Sequence, residues 1–221
     1  MDRGYVRRWG TDLLTIAVGI AVLAVCAVVA RRSLTAVETA VFRAVNDLPE
    51  ALFPVVWPLM QYGTFITIPV LSLMAFAMRR WRLGLALLTA GVSVYAIARL
   101  VKVVVDRGRP GGVLADVRDR ESFAADSLGF PSGHAAVAAA LTVVAFAFLP
   151  RKWAIVAMVV AGVVMAGRLY VGAHLPLDIV GGAGLGVVAG AAANLIMGVP
   201  RPDRPHTDEE AVRAAAPYMK G

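Results

Sequence analysis

A single cysteine among 221 residues, Cys26, excludes an intrachain disulfide, and its place midway along an apolar run says nothing about redox compartment. Charge is also scarce, at 17% against 59% hydrophobic residues, a balance that sets a soluble helical protein aside. The net charge of +7 would suit a nucleic-acid partner, but the 22 Lys and Arg are dispersed among apolar stretches. No basic face interleaved with aromatic residues occurs, so the excess is expected to set membrane orientation instead. No small-residue cleavage pattern follows the first apolar run, about Leu13 to Ala30, and Arg31-Arg32 closes it. That run therefore reads as a retained span preceded by Arg3, Arg7 and Arg8, not as a signal peptide.

What the chain does have is repeated apolar stretches near the ~20 residues needed to cross a bilayer. We expect an all-α, polytopic membrane protein: a six-transmembrane-helix bundle with an amphipathic interfacial helix. The interfacial helix covers Ser33 to Leu48, where Leu34, Val37, Val41, Val45 and Leu48 recur every three or four positions between Glu38, Arg43 and Asn46. Pro49 to Met78 is broken by Pro54, Pro58, Gly63 and Pro69, which suggests a short interfacial piece and then a second span from about Thr64. The third span is about Leu83 to Val105. Asp106 to Gly129 reads as a solvated loop long enough to serve as a lid. The remaining spans are Pro131 to about Leu149, about Trp153 to Val171, and about Pro176 to Met197. In the last, Gly182, Gly186 and Gly190 form a small-residue stripe that lets another helix approach closely. Residues 1–198 are expected to be one transmembrane domain with its motif core at about 99–178, and 199–221 a polar, mobile cytoplasmic tail. Thr207 and Glu210 suit one capped turn within that tail.

Positive charge sets the orientation. With a cytoplasmic amino terminus, Arg3, Arg7, Arg8, Arg79, Arg80, Arg82, Arg151, Lys152, Arg201, Arg204, Arg213 and Lys220 all fall inside, and six spans return the carboxyl terminus to the cytoplasm. Lys102, Arg109, His134, Arg168, His174 and Asp178 then share the extracytoplasmic face of the membrane. Ionisable residues at the edge of the hydrocarbon need water, a partner or a ligand, and here three separate stretches supply them.

Pro176 reads as the first residue of the last helix, because its missing N–H is one that a helix start leaves unpaired anyway. Asp178 then lies in the first turn, where the dipole favours its ionised form, and His174 sits just ahead, within reach of that carboxylate. Arg168 is six residues before His174, roughly 240° away on a regular helix, so the two converge only if the chain turns between them, which Gly172 permits. Lys102, Arg109 and Arg168 around one point suit a dianionic phosphate: guanidinium groups bind its oxygens in pairs and lysine acts as a compact charge. Ser132 and Gly133 add a hydroxyl and backbone N–H groups at a helix start. His174, oriented by Asp178, suits a nucleophile, and His134 a general acid for the departing oxygen.

Each piece has a plainer reading. Pro131-Ser132-Gly133-His134 alone suggests a helix cap and Arg168 alone a snorkelling side chain; His174 with Asp178 could be a structural pair or two metal ligands. Those readings need several coincidences on one membrane face. Arg99 suits helix packing or a headgroup contact, and Arg118 and Arg120 a solvated loop with Asp116, Asp119 and Glu121 or headgroup selection. Asp106 and Arg107 would support the Lys102 to Arg109 stretch, Asp12 would be interfacial, and His206 a bystander in the tail.

Lys102-x6-Arg109-Pro110, Pro131-Ser132-Gly133-His134 and Arg168-x5-His174-x3-Asp178 resemble the three signature motifs of the type 2 phosphatidic acid phosphatase superfamily, in order and on a six-span background. The resemblance covers roughly Glu38 to Met197. It implies a membrane phosphatase that needs no metal and no cofactor, and that acts on a lipid phosphate or diphosphate through a phosphohistidine intermediate. Lys102, Arg109, Arg168, Ser132 and Gly133 would bind phosphate, with His134 as acid, His174 as nucleophile and Asp178 as its partner. Gly167 departs from the pattern, which usually has serine there. Polyprenyl diphosphate is the first expected substrate, and phosphatidylglycerophosphate or phosphatidic acid the next. The rivals are a lipid phosphotransferase using the same intermediate and a non-catalytic lipid-phosphate binding or transport protein. Partners are the substrate lipid and the bilayer, with no nucleic acid; nothing in the sequence specifies an oligomeric state.

Overall fold

The computed structural model describes residues 4–124 and 127–201. Asp126, Thr207, Glu210 and His206, with Arg3, Arg204, Arg213 and Lys220 of the charge count, lie outside the described residues. The fold is helical, as expected. Its helices are α1 (Trp9–Ala30), α2 (Ala36–Asn46), α3 (Phe53–Met60), α4 (Thr67–Ala77), α5 (Trp81–Val105), α6 (Pro110–Val113), α7 (Gly133–Phe148), α8 (Arg151–Tyr170) and α9 (Pro176–Met197). Two-residue strands β1 (Tyr5–Val6) and β2 (Val199–Pro200) pair antiparallel, so the residues at the start of the expected tail are tied to the amino-terminal segment.

Among the described residues four helices, α1, α5, α8 and α9, are long and apolar enough to cross a membrane, and a fifth crossing arises if the bent pair Glu50–Gly63 and Thr67–Ala77 counts as one. These helices make the chain a multi-pass membrane protein. The expected interfacial piece and second span appear as the two segments of that bent pair, which meet at 65°, and α4 with its 11 residues is too short to cross alone. The expected fourth span appears as α7, whose 16 residues reach roughly 24 Å, short of a hydrocarbon core about 30 Å thick. It lies inside the protein, with Ala135 to Thr142 all buried.

The centre of the molecule is α9, against which α1, α5 and α7 pack, with α8 on α7 and α4 on α5. Small residues allow this. A Cβ at Gly190 would stand 2.8 Å from the Ala140 carbonyl oxygen of α7, and one at Gly184 would stand 3.0 Å from the Gly19 carbonyl oxygen of α1. Gly182 and Gly186 face Ser132 and Ala136 of α7 in the same way, so the expected stripe is a helix contact.

The expected amphipathic helix is α2, and the burial of its polar residues is what the sequence did not show. Thr35 caps it, accepting from the Glu38 N–H at 3.1 Å, and the helix is amphipathic. Its outward face carries Val37 and Val41, while Glu38, Phe42 and Asn46 form the buried stripe. A surface helix against lipid gains nothing by hiding aliphatic side chains, so its polar residues turn toward protein partners.

Candidate active site

The helix directions bring four ends together: the carboxyl ends of α5 and α8 and the amino ends of α7 and α9. The charges agree with the helix dipoles. Lys102 and Arg168 lie in the last turns of α5 and α8, and Asp178 in the first turn of α9. At the opposite end Arg80 donates to the Phe148 carbonyl at 2.6 Å and Arg82 donates to that of Met197.

Pro176 begins α9, and the Asp178 carboxylate closes its first turn by accepting from the Leu175 N–H at 2.8 Å. Gly172 makes the turn after α8 with a φ of 79°, where a Cβ would stand 2.8 Å from the Arg118 carbonyl oxygen. His174 is thereby brought back under Arg168: its N–H donates to the Arg168 carbonyl at 3.3 Å. Both residues are 3% exposed. The His174 Nδ1 stands 3.7 Å from Asp178 Oδ2, an approach and not a hydrogen bond, and the Gly129 carbonyl faces the ring. Burial, then the charges of Arg168, Lys102 and Arg109, push the His174 imidazole well below its ordinary pKa, so it is neutral at neutral pH.

Lys102 donates to the carbonyls of Leu128 and Gly129 at 2.8 and 3.2 Å. The Arg109 guanidinium reaches the Ala173 carbonyl at 3.5 Å and lies 4.5 Å from the centre of the Phe123 ring. Arg168 stacks on the same ring at 5.2 Å and pairs with Glu121 at 2.8 Å. His134 lies within electrostatic reach of Arg168, His174 and Arg109. All the expected charged side chains therefore converge. Among the described residues, the Nε atoms of Arg109 and Arg168 are buried without a hydrogen-bond partner, which suits an anion ligand.

Ser132 has a structural role as well. It is fully buried, its hydroxyl caps α7 by accepting from the Ala135 N–H at 3.5 Å, and its own N–H donates to the Asp178 carbonyl at 2.9 Å, tying the start of α7 to α9. The hydroxyl accepts in that cap and keeps its O–H to donate. Gly133 and His134 remain as first-turn residues whose N–H groups lack a helical partner.

The loop after α5 is exposed over much of its described length, as expected, yet it is pinned to the protein. Arg120 donates to the carbonyls of Asn46, Leu48 and Tyr170 and stacks on the Tyr170 ring at 4.0 Å; Arg118 reaches that of Asp47. These carbonyls lie at or just past the carboxyl ends of α2 and α8, where carbonyl oxygens lack N–H donors from their own helix. Arg43 of α2 holds Ala115 and Asp116 in turn. Arg99 is exposed, 5.7 Å from the Tyr95 ring centre, and Asp12 is buried beside Arg8 at 3.5 Å.

Sequence reasoning gave Arg107 a supporting place in the Lys102 to Arg109 stretch and Glu38 a polar place on the interfacial helix, without joining the two. Arg107 is buried and lies between two carboxylates, at 2.7 Å from Glu38 and 3.0 Å from Asp178. The available signal was the spacing of Glu38, Phe42 and Asn46, a helical stripe one turn apart at each step. Gly167 also gains a reason: a Cβ there would stand 2.7 Å from Met60, so α3 occupies the space a serine would need.

A helical membrane protein with a buried cationic cup at the ends of four helices is one equipped to hold an anionic headgroup at the bilayer surface. Residues 80–202 match the sequence model of the PAP2 superfamily, and the chain belongs to that family. It is 30% identical over 125 residues to the undecaprenyl-diphosphatase of Sulfolobus acidocaldarius, a stretch covering 56% of this chain and 60% of that relative's length. The fold is similar to that of Aquifex aeolicus LpxE, with a TM-score of 0.67, 22% identity, and coverage of 72% of this chain and 95% of the other. It is also similar to the PAP2 type phosphatidylglycerolphosphate phosphatase of Bacillus subtilis, with a TM-score of 0.60, 21% identity, and coverage of 80% and 94%.

Proposed function

We propose that this protein is a membrane phosphatase that hydrolyses a lipid-linked phosphate or diphosphate, with His174 as nucleophile. The observation that carries the reading is the convergence of Lys102, Arg109 and Arg168 on a neutral, buried His174 with His134 beside it. The Nδ1 of His174 faces Asp178, which leaves Nε2 to attack phosphorus. The bond from the terminal phosphorus to its bridging oxygen, which belongs to the lipid in a monophosphate and to the inner phosphate in a diphosphate, breaks as the N–P bond forms, and a protonated His134 gives its proton to that departing oxygen. Water then attacks the phosphohistidine, His134 takes up the water's proton, and phosphate leaves. The three cations stabilise the charge on the equatorial oxygens throughout, a task given to metal ions in other phosphoryl-transfer enzymes. The similarity to an undecaprenyl-diphosphatase supports a polyprenyl diphosphate as the first substrate to try, ahead of phosphatidylglycerophosphate and phosphatidic acid.

Residues 1–198 act as one catalytic unit with 199–221 as a tail. The pairing of Tyr5–Val6 with Val199–Pro200 supports an even number of crossings, and so six, with the bent pair and α7 each taken as one. Arg8, Arg80, Arg82, Arg151 and Lys152 at the same end as that pairing support a cytoplasmic location for both termini. The cup then opens on the extracytoplasmic face. Purified protein presented with a panel of lipid phosphates and diphosphates is expected to release inorganic phosphate, and His174→Ala to abolish it. A new phosphorylated lipid in place of free phosphate, when sugar or lipid hydroxyls are supplied, would make it a transferase. Binding without turnover would refute the enzyme reading altogether.

A further inference from the structure

Arg107 uses its guanidinium to join two buried carboxylates. Nη1 donates to Glu38 Oε1 at 2.9 Å and Asp178 Oδ1 at 3.0 Å, and Nη2 donates to Glu38 Oε2 at 2.7 Å. Glu38 Oε1 also accepts from the Leu177 N–H at 3.1 Å, beside the Leu175 N–H held by Asp178 Oδ2 at 2.8 Å. Glu38 is 5% exposed and Asp178 0%, so neither carboxylate has bulk water to stabilise its charge. Two carboxylates this close and this dry cannot both stay ionised without a cation between them. Arginine suits that place because its planar fork is always charged and meets both acids in one plane, which a lysine ammonium cannot.

The fork is set by backbone contacts. The Arg107 carbonyl accepts from the Gly129 N–H at 2.6 Å, and Gly108 and Leu128 form an antiparallel bridge beside it. Gly129 passes so close to Asp178 that a Cβ would stand 3.0 Å from Oδ2. Unlike Arg109 and Arg168, whose Nε atoms lack a partner among the described residues, Arg107 has both terminal nitrogens committed to protein carboxylates.

We propose that Arg107 and Glu38 are positioning residues for the His174 chemistry, holding the Asp178 carboxylate charged and in place beside the imidazole without touching substrate. The proposal rests on the reading of His174 as nucleophile. An ionised Asp178 stabilises the positive charge that His174 acquires on attack; a protonated or displaced one does not. The charged and titratable groups that act on this network are Lys102 from α5, Arg109 after it, His174 ahead of α9, and Cys26 of α1, which lies within reach of Glu38. From α7 the contact with Asp178 is the Ser132 N–H on its backbone carbonyl.

The test is steady-state phosphate release from a short-chain polyprenyl diphosphate by the full chain in detergent, comparing Arg107→Gln, Arg107→Lys, Glu38→Gln and Asp178→Asn, each checked by size exclusion and melting. Supporting groups of this kind typically matter by ~10–100-fold. Glu38→Gln is expected to lower kcat about 10-fold, and Arg107→Gln about 100-fold, with KM within twofold of wild type. The acid limb of kcat should move to higher pH in Arg107→Gln, because one of the two carboxylates then takes up a proton, and Arg107→Lys should move it back part of the way. In the Asp178→Asn background, Arg107→Gln should cost less than threefold. Full multiplicative losses in the double variant, a rise in KM at unchanged kcat, or wild-type rates in Glu38→Gln and Arg107→Lys would each overturn the proposal. Should Arg107→Gln not fold, those two conservative variants decide it. Wild-type turnover that is lost in His174→Ala but untouched in both sinks this inference alone, whereas a wild type without turnover sinks the phosphatase reading beneath it.

Discussion

Replacing Glu121 by glutamine should make the protein bind inorganic phosphate more tightly. In the structure Glu121 holds Arg168 at 2.8 Å, with the arginine side chain 4% and the glutamate 21% exposed, and Phe123 lies against both Arg168 and Arg109. A phosphate that takes Arg168 must displace this carboxylate. A hydrogen bond between two charged groups contributes about 1.5–3 kcal/mol and a neutral one about 0.5–1.5, so the substitution removes roughly 1–1.5 kcal/mol of competition. Solvent screening at the partly open glutamate reduces that to about 0.5–1 kcal/mol, a two- to fivefold change in affinity. The assay is product inhibition: the Ki of phosphate for Glu121→Gln against wild type, at fixed ionic strength. A Ki that falls two- to fivefold, by less at high salt, agrees with the reasoning. An unchanged or higher Ki would refute it and remove Glu121 as the competing anion.

The α7–α9 contact should be intolerant of size. Gly190→Leu is expected to cost about 1–3 kcal/mol and lower the melting temperature in detergent, whereas Gly10→Ala, with open space around it, should leave it unchanged; equal melting of the two would argue against close packing. Arg120 is 2% exposed with three carbonyl acceptors, so Arg120→Met should destabilise by about 2–4 kcal/mol, read by chemical or thermal unfolding. Arg120→Lys should rescue little, since one ammonium cannot span those acceptors. Because burial keeps His174 neutral, its folded pKa lies below the unfolded value near 6.5. The unfolded chain then binds more protons below that pH, so this residue's contribution to stability is full above about 6.5 and declines as pH falls, by at most ~1.4 kcal/mol per unit. Histidine NMR should show no His174 titration near 6.5, and a midpoint there would contradict the burial argument.

The parts of the molecule legible in sequence are those governed by local rules. Pro176 and Asp178 mark a helix start, Gly172 a turn, and the glycines of α9 a close contact, and each appears as read. Charged residues whose partners lie far along the chain were harder. Arg107, Arg120 and Glu121 look like members of a solvated loop until Glu38, Tyr170 and Arg168 are brought beside them. Glu38 was hidden for a further reason: on α2 the aliphatic face meets lipid, which reverses the ordinary rule that polar residues point outward. Ser132 carried two compatible roles in sequence, a cap and a phosphate contact, and the structure shows the cap, in which the hydroxyl accepts from the Ala135 N–H. Gly167 could not be explained without α3 in view, since its neighbour Met60 is over a hundred positions away.

The central claim is that His174 carries the phosphoryl group. Incubating wild type with a 32P-labelled lipid phosphate, quenching in alkali and mapping the label is the most direct test. The account predicts an alkali-stable, acid-labile phosphate on the peptide containing His174, absent in His174→Ala. Label on a carboxylate, or phosphate release that persists in His174→Ala, would contradict it.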